Sequence, residues 1–386
     1  MLFDFKLFFR VAYRALFDVG GTNARLTPKR FCALMIILVI YGFAEFTCWI
    51  GLLLDSIFFS GYRKLSVRQP VFIIGPPRSG TTYLQRLLAK DEGRFSSMKS
   101  WEIMFAPSIT QKLLYVFLGR LDSLCGSPLY RLVRAAEKRI YRDLSEIHPA
   151  SLFEAEEDGM ILLHIFSSAT AFFVLPFAEE FGPYFFFDQQ IDHGTRARVL
   201  GFYKRCVQNH LYVFGRDKIF LSKNPMFSTM IQSLDEVFPD AKFIYMARTP
   251  FETVPSTISL ISYYFHSVMS PLEPYPYLKE QLDMLELYYN YPLAKFMGMA
   301  ESRNQAIDYC SLIERPYQTV TGLYARFGIG LTAAYEQVLQ KEQEKARKYK
   351  SRHSYSLEQF GLKPEEIVKK YEPVFERYGF SRQPAA

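Results

Sequence analysis

Three kinds of apolar pattern follow one another along the chain and predict three different structural roles. Residues 1–30 place basic and aromatic side chains at helical intervals, as in MLFDFKLFFRVAYRALF, which is typical of an amphipathic helix. Residues 31–59 are almost continuously apolar and predict one long helix. In residues 66–386, short apolar runs alternate with amphipathic helical stretches, which predicts an α/β catalytic domain.

The first two segments predict membrane association but leave its form open. Residues 1–30 fit either a helix on a membrane surface or a helix docked on the protein core. As one helix, residues 31–59 would extend about 43 Å, longer than a hydrocarbon core of about 30 Å. Glu45 lies in the middle, and a carboxylate at mid-bilayer costs on the order of 2.5–3.5 kcal/mol. One tilted span and a bent, partly interfacial anchor therefore both remain possible.

Short apolar runs at residues 71–74, 219–221 and 243–246 predict buried parallel strands. An amphipathic helical stretch separates the second run from the third, as expected of a strand–helix–strand unit. Residues 103–215, rich in Leu, Phe and Tyr, predict a large, mostly helical insertion. The fold class predicted is thus α/β, with a P-loop-like parallel sheet flanked by helices.

A glycine loop, IIGPPRSGTT, follows the first predicted strand and opens the next helix. Gly75 and Gly80 have the spacing of a Walker A loop, and Thr82 occupies its final hydroxyl position. Thr81 stands where that loop carries its lysine, and the cation is found instead inside the loop, at Arg78. Backbone amides and a helix N-terminus still form an anion site. The missing lysine indicates an anion other than a nucleoside triphosphate.

A second candidate anion site follows the third predicted strand, in KFIYMARTPFETVPSTISL. Arg248 comes at the end of that strand, and Ser256 lies eight residues later in the following helix. A guanidinium and a hydroxyl so placed can converge on one phosphate.

Together these motifs resemble the sulfotransferase family that uses 3′-phosphoadenosine-5′-phosphosulfate, in particular the branch with a P-R-S-G-T-T loop. LSKNP at residues 221–225 and FPDAKFIYMARTP at residues 238–250 also look like segments of that branch, and the tail at residues 353–362 does so more faintly. The matching positions of the loop and of the second site are Pro77, Arg78, Ser79, Gly80, Thr81, Thr82, Arg248 and Ser256.

The resemblance implies a role for each of these positions. The loop would bind the 5′-phosphosulfate, Arg248 and Ser256 would bind the 3′-phosphate, and Arg352 would close over the nucleotide. The reaction implied is transfer of a sulfuryl group to a hydroxyl, or less favourably an amine. No metal is expected, because a monoanionic sulfuryl group needs less charge neutralisation than a γ-phosphate.

Four residues are candidates for catalysis. Arg78 would stabilise charge on the transferring group. Glu102 is the first candidate general base, with a pKa raised by its apolar surroundings, although a helix-capping or ion-paired Glu fits the same position. His148 is the alternative base, close to the acidic cluster of residues 154–157. Lys223 could reach sulfuryl or phosphate oxygens, or form a structural ion pair.

Composition limits the partners. Hydrophobic residues make up 49% and aromatic residues 17% of the chain, which suits an apolar or lipidic acceptor and a membrane. The net charge of +7 is spread without the concentrated basic run of a nucleic-acid binder. The five cysteines are widely spaced and no asparagine lies in a glycosylation sequon. A cytosol-facing catalytic domain is therefore predicted, with a lumenal type II arrangement as the alternative and the oligomeric state left undetermined.

Two other functions remain open at this point. A P-loop kinase or nucleotide triphosphatase would turn over ATP with Mg²⁺, which the missing lysine disfavours. A non-catalytic, membrane-anchored protein on a sulfotransferase fold would bind the nucleotide and transfer nothing.

Overall fold

A computed structural model of the chain describes residues 2–20, 22–140, 151–268, 271–346 and 356–384. A parallel sheet lies at its centre. Its strands are β1 (Val71–Ile74), β2 (Phe95–Ser96), β3 (Ile219–Lys223), β4 (Lys242–Ala247) and β5 (Asn304–Asp308), arranged in the order β2-β3-β1-β4-β5. The three predicted strands are present, two of them slightly longer than predicted.

Helices cover both sides of this sheet, as predicted, and the insertion at residues 103–215 is mostly helical where it is described. The helices are α1 (Phe5–Phe17), α2 (Pro28–Phe58), α3 (Thr81–Leu88), α4 (Ser100–Phe105), α5 (Ile109–Leu124), α6 (Pro128–Ile140), α7 (Ala178–Phe185), α8 (Phe187–Gln190), α9 (His193–Phe214), α10 (Ile231–Val237), α11 (Pro250–Val268), α12 (Leu278–Phe296), α13 (Tyr309–Glu314), α14 (Pro316–Phe327), α15 (Ala333–Ala346), α16 (Pro364–Lys370) and α17 (Glu372–Tyr378). Short 3₁₀ segments lie at Ser60–Lys64, Asp158–Ile165, Ala169–Phe173, Pro225–Thr229, Glu301–Arg303 and Glu358–Phe360.

Alternation along the strands builds an apolar core on each face of the sheet. Phe72 and Ile74 of β1 pack into a cluster with Phe243 of β4 and with the N-terminal helices. Val71 and Ile73 point to the other face, into a cluster with α3, α14 and α15. Because both faces are covered, β1 and β4 are buried at every position and almost entirely apolar, which is why both were visible in the sequence.

The amphipathic helix α1 docks on the core and also keeps an aromatic face exposed. Leu7, Val11 and Ala15 are buried in the same cluster as Phe72 of the sheet. The opposite face carries large exposed rings, Phe5, Phe9, Tyr13 and Phe17. Of the two alternatives left open by the sequence, core docking therefore describes one side of this helix, and the other side remains available for a membrane.

The apolar segment forms one continuous helix, α2, which begins at Pro28 behind the N-cap Thr27 and ends at Phe58. By length and composition it is the one described helix that could cross a membrane, and only 17% of its most apolar window is buried in the protein. Its few buried positions include Glu45 and Asp55, which face the rest of the chain.

Candidate active site

The parallel strands bring their carboxyl ends together at one edge of the sheet. Ile73 of β1 lies opposite Lys223 of β3, and Ala247 of β4 lies opposite Asp308 of β5. The glycine loop, Lys223, Arg248 and the residues after β5 therefore meet at this edge, where ligands of open α/β sheets bind.

The loop after β1 has a backbone that few residues can adopt. Gly75 has φ 138° and Gly80 has φ 92°, and Arg78 also lies in the left-handed region at φ 66°. A Cβ on Gly75 would lie 2.7 Å from the carbonyl oxygen of Met246, and one on Gly80 would lie 2.6 Å from the ring of Tyr309. A non-glycine residue held at positive φ stores strain, which is commonest at functional sites.

Polar groups of the loop fit an anionic ligand. Gly80 is the N-cap residue of α3, and no side chain caps the first amides of that helix. The hydroxyl of Ser79 is buried and has no hydrogen-bond partner among the described atoms. Free helix amides and an unsatisfied hydroxyl together form a cradle suited to a phosphate-like group.

The second predicted anion site lies directly against the first. The Nε of Arg78 donates to the Oγ of Ser256 at 3.0 Å, and Nη1 of Arg248 donates to the carbonyl oxygen of Arg78 at 2.7 Å. Arg248 is also held by Glu252, with Nε to Oε2 at 2.7 Å, and its guanidinium carbon stacks 4.0 Å from the centre of the Tyr309 ring. The structure thus brings Arg78, Arg248 and Ser256 together, and places the Arg78 side chain beside the second site.

Lys223 is fully buried and lies between two carboxylates. Its Nζ is 3.1 Å from Glu157 and 3.3 Å from Glu156. Burial opposes the charged ammonium, but the charges of Glu157 and Glu156 outweigh it and raise the pKa of Lys223. The lysine is therefore a fixed cation, and it holds Glu157 at the edge of the site.

Glu102 does not have the raised pKa that the sequence predicted. Its carboxylate is almost completely buried, 2.8 Å from Nδ1 of His210 and 3.7 Å from Nζ of Lys112, and it accepts the backbone N–H of Lys99 at 3.0 Å. Burial tends to raise the pKa of Glu102, but His210, Lys112 and the Lys99 amide together hold it below its usual value. The sequence predicted apolar surroundings for Glu102, but the structure gives it a hydrogen-bonded network that includes the Lys112 cation. Glu102 also caps α4.

A pocket of about 480 Å³ opens over the loop. Six of the predicted donor-binding residues line it: Pro77, Arg78, Gly80, Thr81, Thr82 and Arg248. Glu157 is also part of the wall, whereas Ser79, Ser256, Lys223 and Glu102 are not. His148 and Arg352 lie outside the described residues.

Tyr309 is the principal wall residue that sequence reasoning missed. It follows β5 as Arg248 follows β4, so that its ring covers Gly80 and supports the Arg248 guanidinium. The strand that delivers it, NQAID, has almost no apolar pattern, because as an edge strand it is only partly buried. Recognising β5 as a strand would have identified Tyr309.

Comparison with known proteins gives a consistent picture. The model of the family described as "Sulfotransferase family" matches residues 70–333. The omega-hydroxy-beta-dihydromenaquinone-9 sulfotransferases Stf3 of Mycobacterium bovis and Mycobacterium tuberculosis are each 27% identical over 320 residues, which cover 81% of this chain and 76% of theirs.

Two solved structures share the fold over nearly the whole chain. Sulfotransferase STF1 of Mycobacterium tuberculosis superposes with a TM-score of 0.68 at 18% identity, covering 96% of this chain and 94% of its own. Sulfotransferase STF9 of Mycobacterium avium gives the same score and identity, covering 98% of this chain and 96% of its own.

Proposed function

The chain belongs to the sulfotransferase family and is an enzyme of that kind, and we propose that it moves a sulfuryl group from 3′-phosphoadenosine-5′-phosphosulfate to a hydroxyl of an apolar acceptor at a membrane. The observation that carries the proposal is the convergence of Arg78, Arg248 and Ser256 on the lysine-free loop.

The donor would occupy the loop and the adjoining arginine site. Amides of the loop and of the α3 N-terminus, with the hydroxyls of Ser79, Thr81 and Thr82, suit the 5′-phosphosulfate. Arg248 and Ser256 suit the 3′-phosphate, and Arg78 lies between the two groups because its guanidinium contacts Ser256. Arg352 closing over the nucleotide, and a reaction without metal, remain parts of the proposal.

Transfer requires that the acceptor oxygen bond to sulfur while the sulfur–oxygen bond to the 5′-phosphate breaks. The acceptor proton passes to a base, and adenosine 3′,5′-bisphosphate leaves. We assign the base to Glu157, because Glu157 lines the pocket and Glu102 does not. Lys223 would keep Glu157 in position and supply positive charge near the transferring group. His148 is kept as the alternative base.

An apolar acceptor is supported from two directions. The two mycobacterial relatives act, by their names, on a hydroxylated menaquinone derivative. Exposed rings on α1 and apolar side chains on α2 supply a surface on which a lipid-dissolved acceptor could be met. The five described cysteines are all free thiols, which suits a cytosol-facing domain.

Calorimetric titration of the full chain with adenosine 3′,5′-bisphosphate tests the donor site. We expect binding to the parent chain, and at least tenfold weaker binding to the Arg248→Ala, Ser256→Ala double variant. The first substitution removes a charge-assisted hydrogen bond to phosphate and the second removes a neutral one. Arg326→Ala, a surface arginine paired with Glu301, is the matched control and should bind normally. Unchanged affinity in the double variant would contradict the proposal.

Transfer itself is tested with sulfur-labelled donor and a membrane lipid extract, with labelled products identified by mass spectrometry. ATP turnover dependent on Mg²⁺ would favour the kinase alternative. Nucleotide binding without labelled product in any extract would favour the non-catalytic alternative.

A further inference from the structure

The exposed apolar side chains of this protein are concentrated on four helices. Among the described residues, every large apolar side chain that remains exposed belongs to α1, α2, α5 or α6, except Leu26, Met104, Leu272 and Met297. Scattered exposed apolar residues are ordinary, but a concentration of this size marks an interaction surface.

The four helices are neighbours in the fold, and we call their exposed apolar sides together the lipid face. Phe166 contacts both Phe8 of α1 and Tyr41 of α2, so that these two helices are joined through one ring. Asp55 of α2 accepts the first amides of α5, from Ile109 at 2.7 Å and Thr110 at 2.9 Å. A three-residue turn then connects α5 to α6.

The charges on these helices identify the partner. Every charged side chain on them that is exposed is a lysine or arginine, from Lys6 and Arg10 of α1 to Lys138 and Arg139 of α6. Their acids are at least partly covered and hydrogen-bonded within the protein: Glu45, Asp55, Asp122 and Glu137. Asp18, the C-cap residue of α1, is an exposed acid at the edge of this set. Apolar rings with predominantly basic exposed charge match an anionic lipid surface, whereas a second copy of the same face would be repelled.

The catalytic domain makes hydrogen bonds to α2 near its start, in its middle and near its end. Near its start, Arg30 donates to the carbonyl oxygen of Val174, and in the middle Glu45 contacts Nδ1 of His164 at 2.7 Å. Asp55, near the end of α2, caps the N-terminus of α5. Between Arg30 and Asp55 the helix rises about 37 Å, more than the roughly 30 Å of a hydrocarbon core.

These contacts argue against a simple span. If α2 crossed the bilayer in this structure, the 3₁₀ segment Asp158–Ile165 and the buried hydrogen bond between Glu45 and His164 would lie at the depth of the hydrocarbon with it. Non-helical backbone lies at membrane depth only where protein or a water-filled cavity encloses it, so a span of α2 would also draw α4 and α9, which pack on this segment, toward the hydrocarbon.

We propose that the lipid face lies in one leaflet of an anionic membrane, with α2 parallel to the membrane plane and both of its ends on the same side. The protein is then a monotopic enzyme. This inference rests on the membrane part of the proposed function, and it specifies the form of attachment that the sequence left open.

Two glycines that flank α2 allow the ends of the helix to be located. A Cβ added at Gly20 or at Gly61 would have no other atom within 4 Å, so Gly20→Cys and Gly61→Cys should fold normally. Each is made in a full chain whose exposed cysteines, Cys32, Cys125 and Cys310, are replaced by serine. Sealed inverted and right-side-out membrane vesicles from the expressing cells are then treated with a membrane-impermeant maleimide.

Both positions should react in the same vesicle orientation and stay protected in the other. Reaction of the two positions from opposite sides would establish a span and overturn the proposal. Recovery of the protein in the soluble fraction, as a monomer or as a larger assembly, would overturn it as well. Adenosine 3′,5′-bisphosphate binding by the same variants reports on the proposed function separately, so failure of one inference is distinguishable from failure of the other.

Flotation of the full chain with liposomes tests the lipid face directly. Binding should be stronger to phosphatidylcholine vesicles that contain phosphatidylglycerol than to phosphatidylcholine alone. Phe43→Asp on α2, at a side chain that is 71% exposed, should weaken binding to the anionic vesicles about tenfold. Met297→Asp, 84% exposed but off the lipid face, is the matched control and should leave binding unchanged. Equal loss in both variants, or no loss in either, would contradict the proposal.

Discussion

At the scale of single residues, the pocket edge is built from side chains that hold one another. Arg248 is fixed by Glu252, by the carbonyl oxygen of Arg78 and by the ring of Tyr309. Arg78 keeps its left-handed backbone while its guanidinium contacts Ser256. Positioning groups before the ligand arrives reduces the ordering cost of binding and catalysis.

The assignment of the base is tested by two variants that differ in where the carboxylate lies. Glu157→Gln should lower kcat by about 10²–10⁴, because it removes a proton acceptor from a residue that lines the pocket. Its loss of stability should be smaller than that of Glu102→Gln, because Glu156 still faces Lys223. Glu102→Gln should instead lower stability by about 3 kcal/mol, because it leaves His210 and Lys112 facing a neutral group.

Steady-state kinetics and denaturant unfolding of both variants separate these effects. If Glu102→Gln folded normally but lost kcat while Glu157→Gln remained active, the base would be Glu102. Unimpaired turnover in both variants would direct attention to His148.

A second residue-scale prediction concerns Asp158, which is fully buried beside Ser222 of β3. Burial raises the pKa of Asp158 to about 7, although Ser222 and Tyr203 donate hydrogen bonds to its carboxylate. The folded protein thus binds this proton more tightly than the unfolded chain does. The resulting stabilisation is fully present below about pH 4 and is lost as the pH rises to about 7.

Asp158→Asn should remove the loss of stability that the parent shows as pH rises. The Tm of the variant minus the Tm of the parent should therefore grow between about pH 4 and about pH 7, and stay constant above about pH 7. Thermal unfolding across this range measures the difference. Asp217→Asn, an exposed position, controls for the loss of one charge. A difference that does not depend on pH would show that Asp158 has an ordinary pKa.

At the scale of elements, polar contacts between helices determine how α2 is attached. The most concentrated of these is Asp55, which accepts the amides of Ile109 and Thr110 and the hydroxyl of Thr110 at 2.8 Å. A carboxylate at a helix N-terminus satisfies free amides and interacts favourably with the helix dipole. Gly51 lets α2 approach closely, because a Cβ there would meet Oε1 of Gln111 at 2.9 Å.

Asp55→Ala should destabilise the protein by about 2–3 kcal/mol, since it leaves buried amides of α5 without an acceptor. Asp122 makes a similar cap on α6, accepting the amides of Leu129 and Tyr130, but in a more exposed setting. Asp122→Ala is therefore the matched comparison and should cost only about 0.5–1 kcal/mol. Denaturant unfolding in detergent measures both, and equal costs would show that α2 and α5 are not coupled through Asp55.

At the scale of the whole molecule, the N-terminal helices and the catalytic domain share one core. Leu7, Val11 and Leu34 belong to the same apolar cluster as Phe72 and Ile74 of the central strand. The sequence divided the chain into residues 1–30, 31–59 and 66–386. Packing makes the first two an integral part of the fold, in addition to any anchoring role.

A fragment of residues 66–386 should therefore fail to fold stably, because deletion of α1 and α2 exposes apolar surface and the partners of Asp55 and Glu45. Solubility and near-ultraviolet circular dichroism of the fragment measure this. The full chain with Phe9→Asp, which changes an exposed ring only, should stay folded and controls for the loss of the lipid face. A soluble, cooperatively folding fragment would show that the N-terminal helices are dispensable to the core.

Local sequence was sufficient where a function or an element depends on consecutive residues. The loop around Gly75 and Gly80, the buried strands β1 and β4, and the long helix α2 each depend on backbone freedom or on apolar periodicity, which neighbours in the chain display. The resemblance carried by those consecutive motifs also identified the family correctly.

Tertiary structure decided what depends on residues far apart in the chain. The pKa of Glu102 is set by His210 and Lys112, the position of Tyr309 by an edge strand with little apolar pattern, and the docking of α2 by His164 and the α5 amides. Electrostatic and packing energies depend on distances in space, and spacing along the chain does not contain those distances. For this reason the sequence alone identified an anion loop and an apolar helix, and only the fold showed that Arg78 contacts Ser256 and that α2 lies along the catalytic domain.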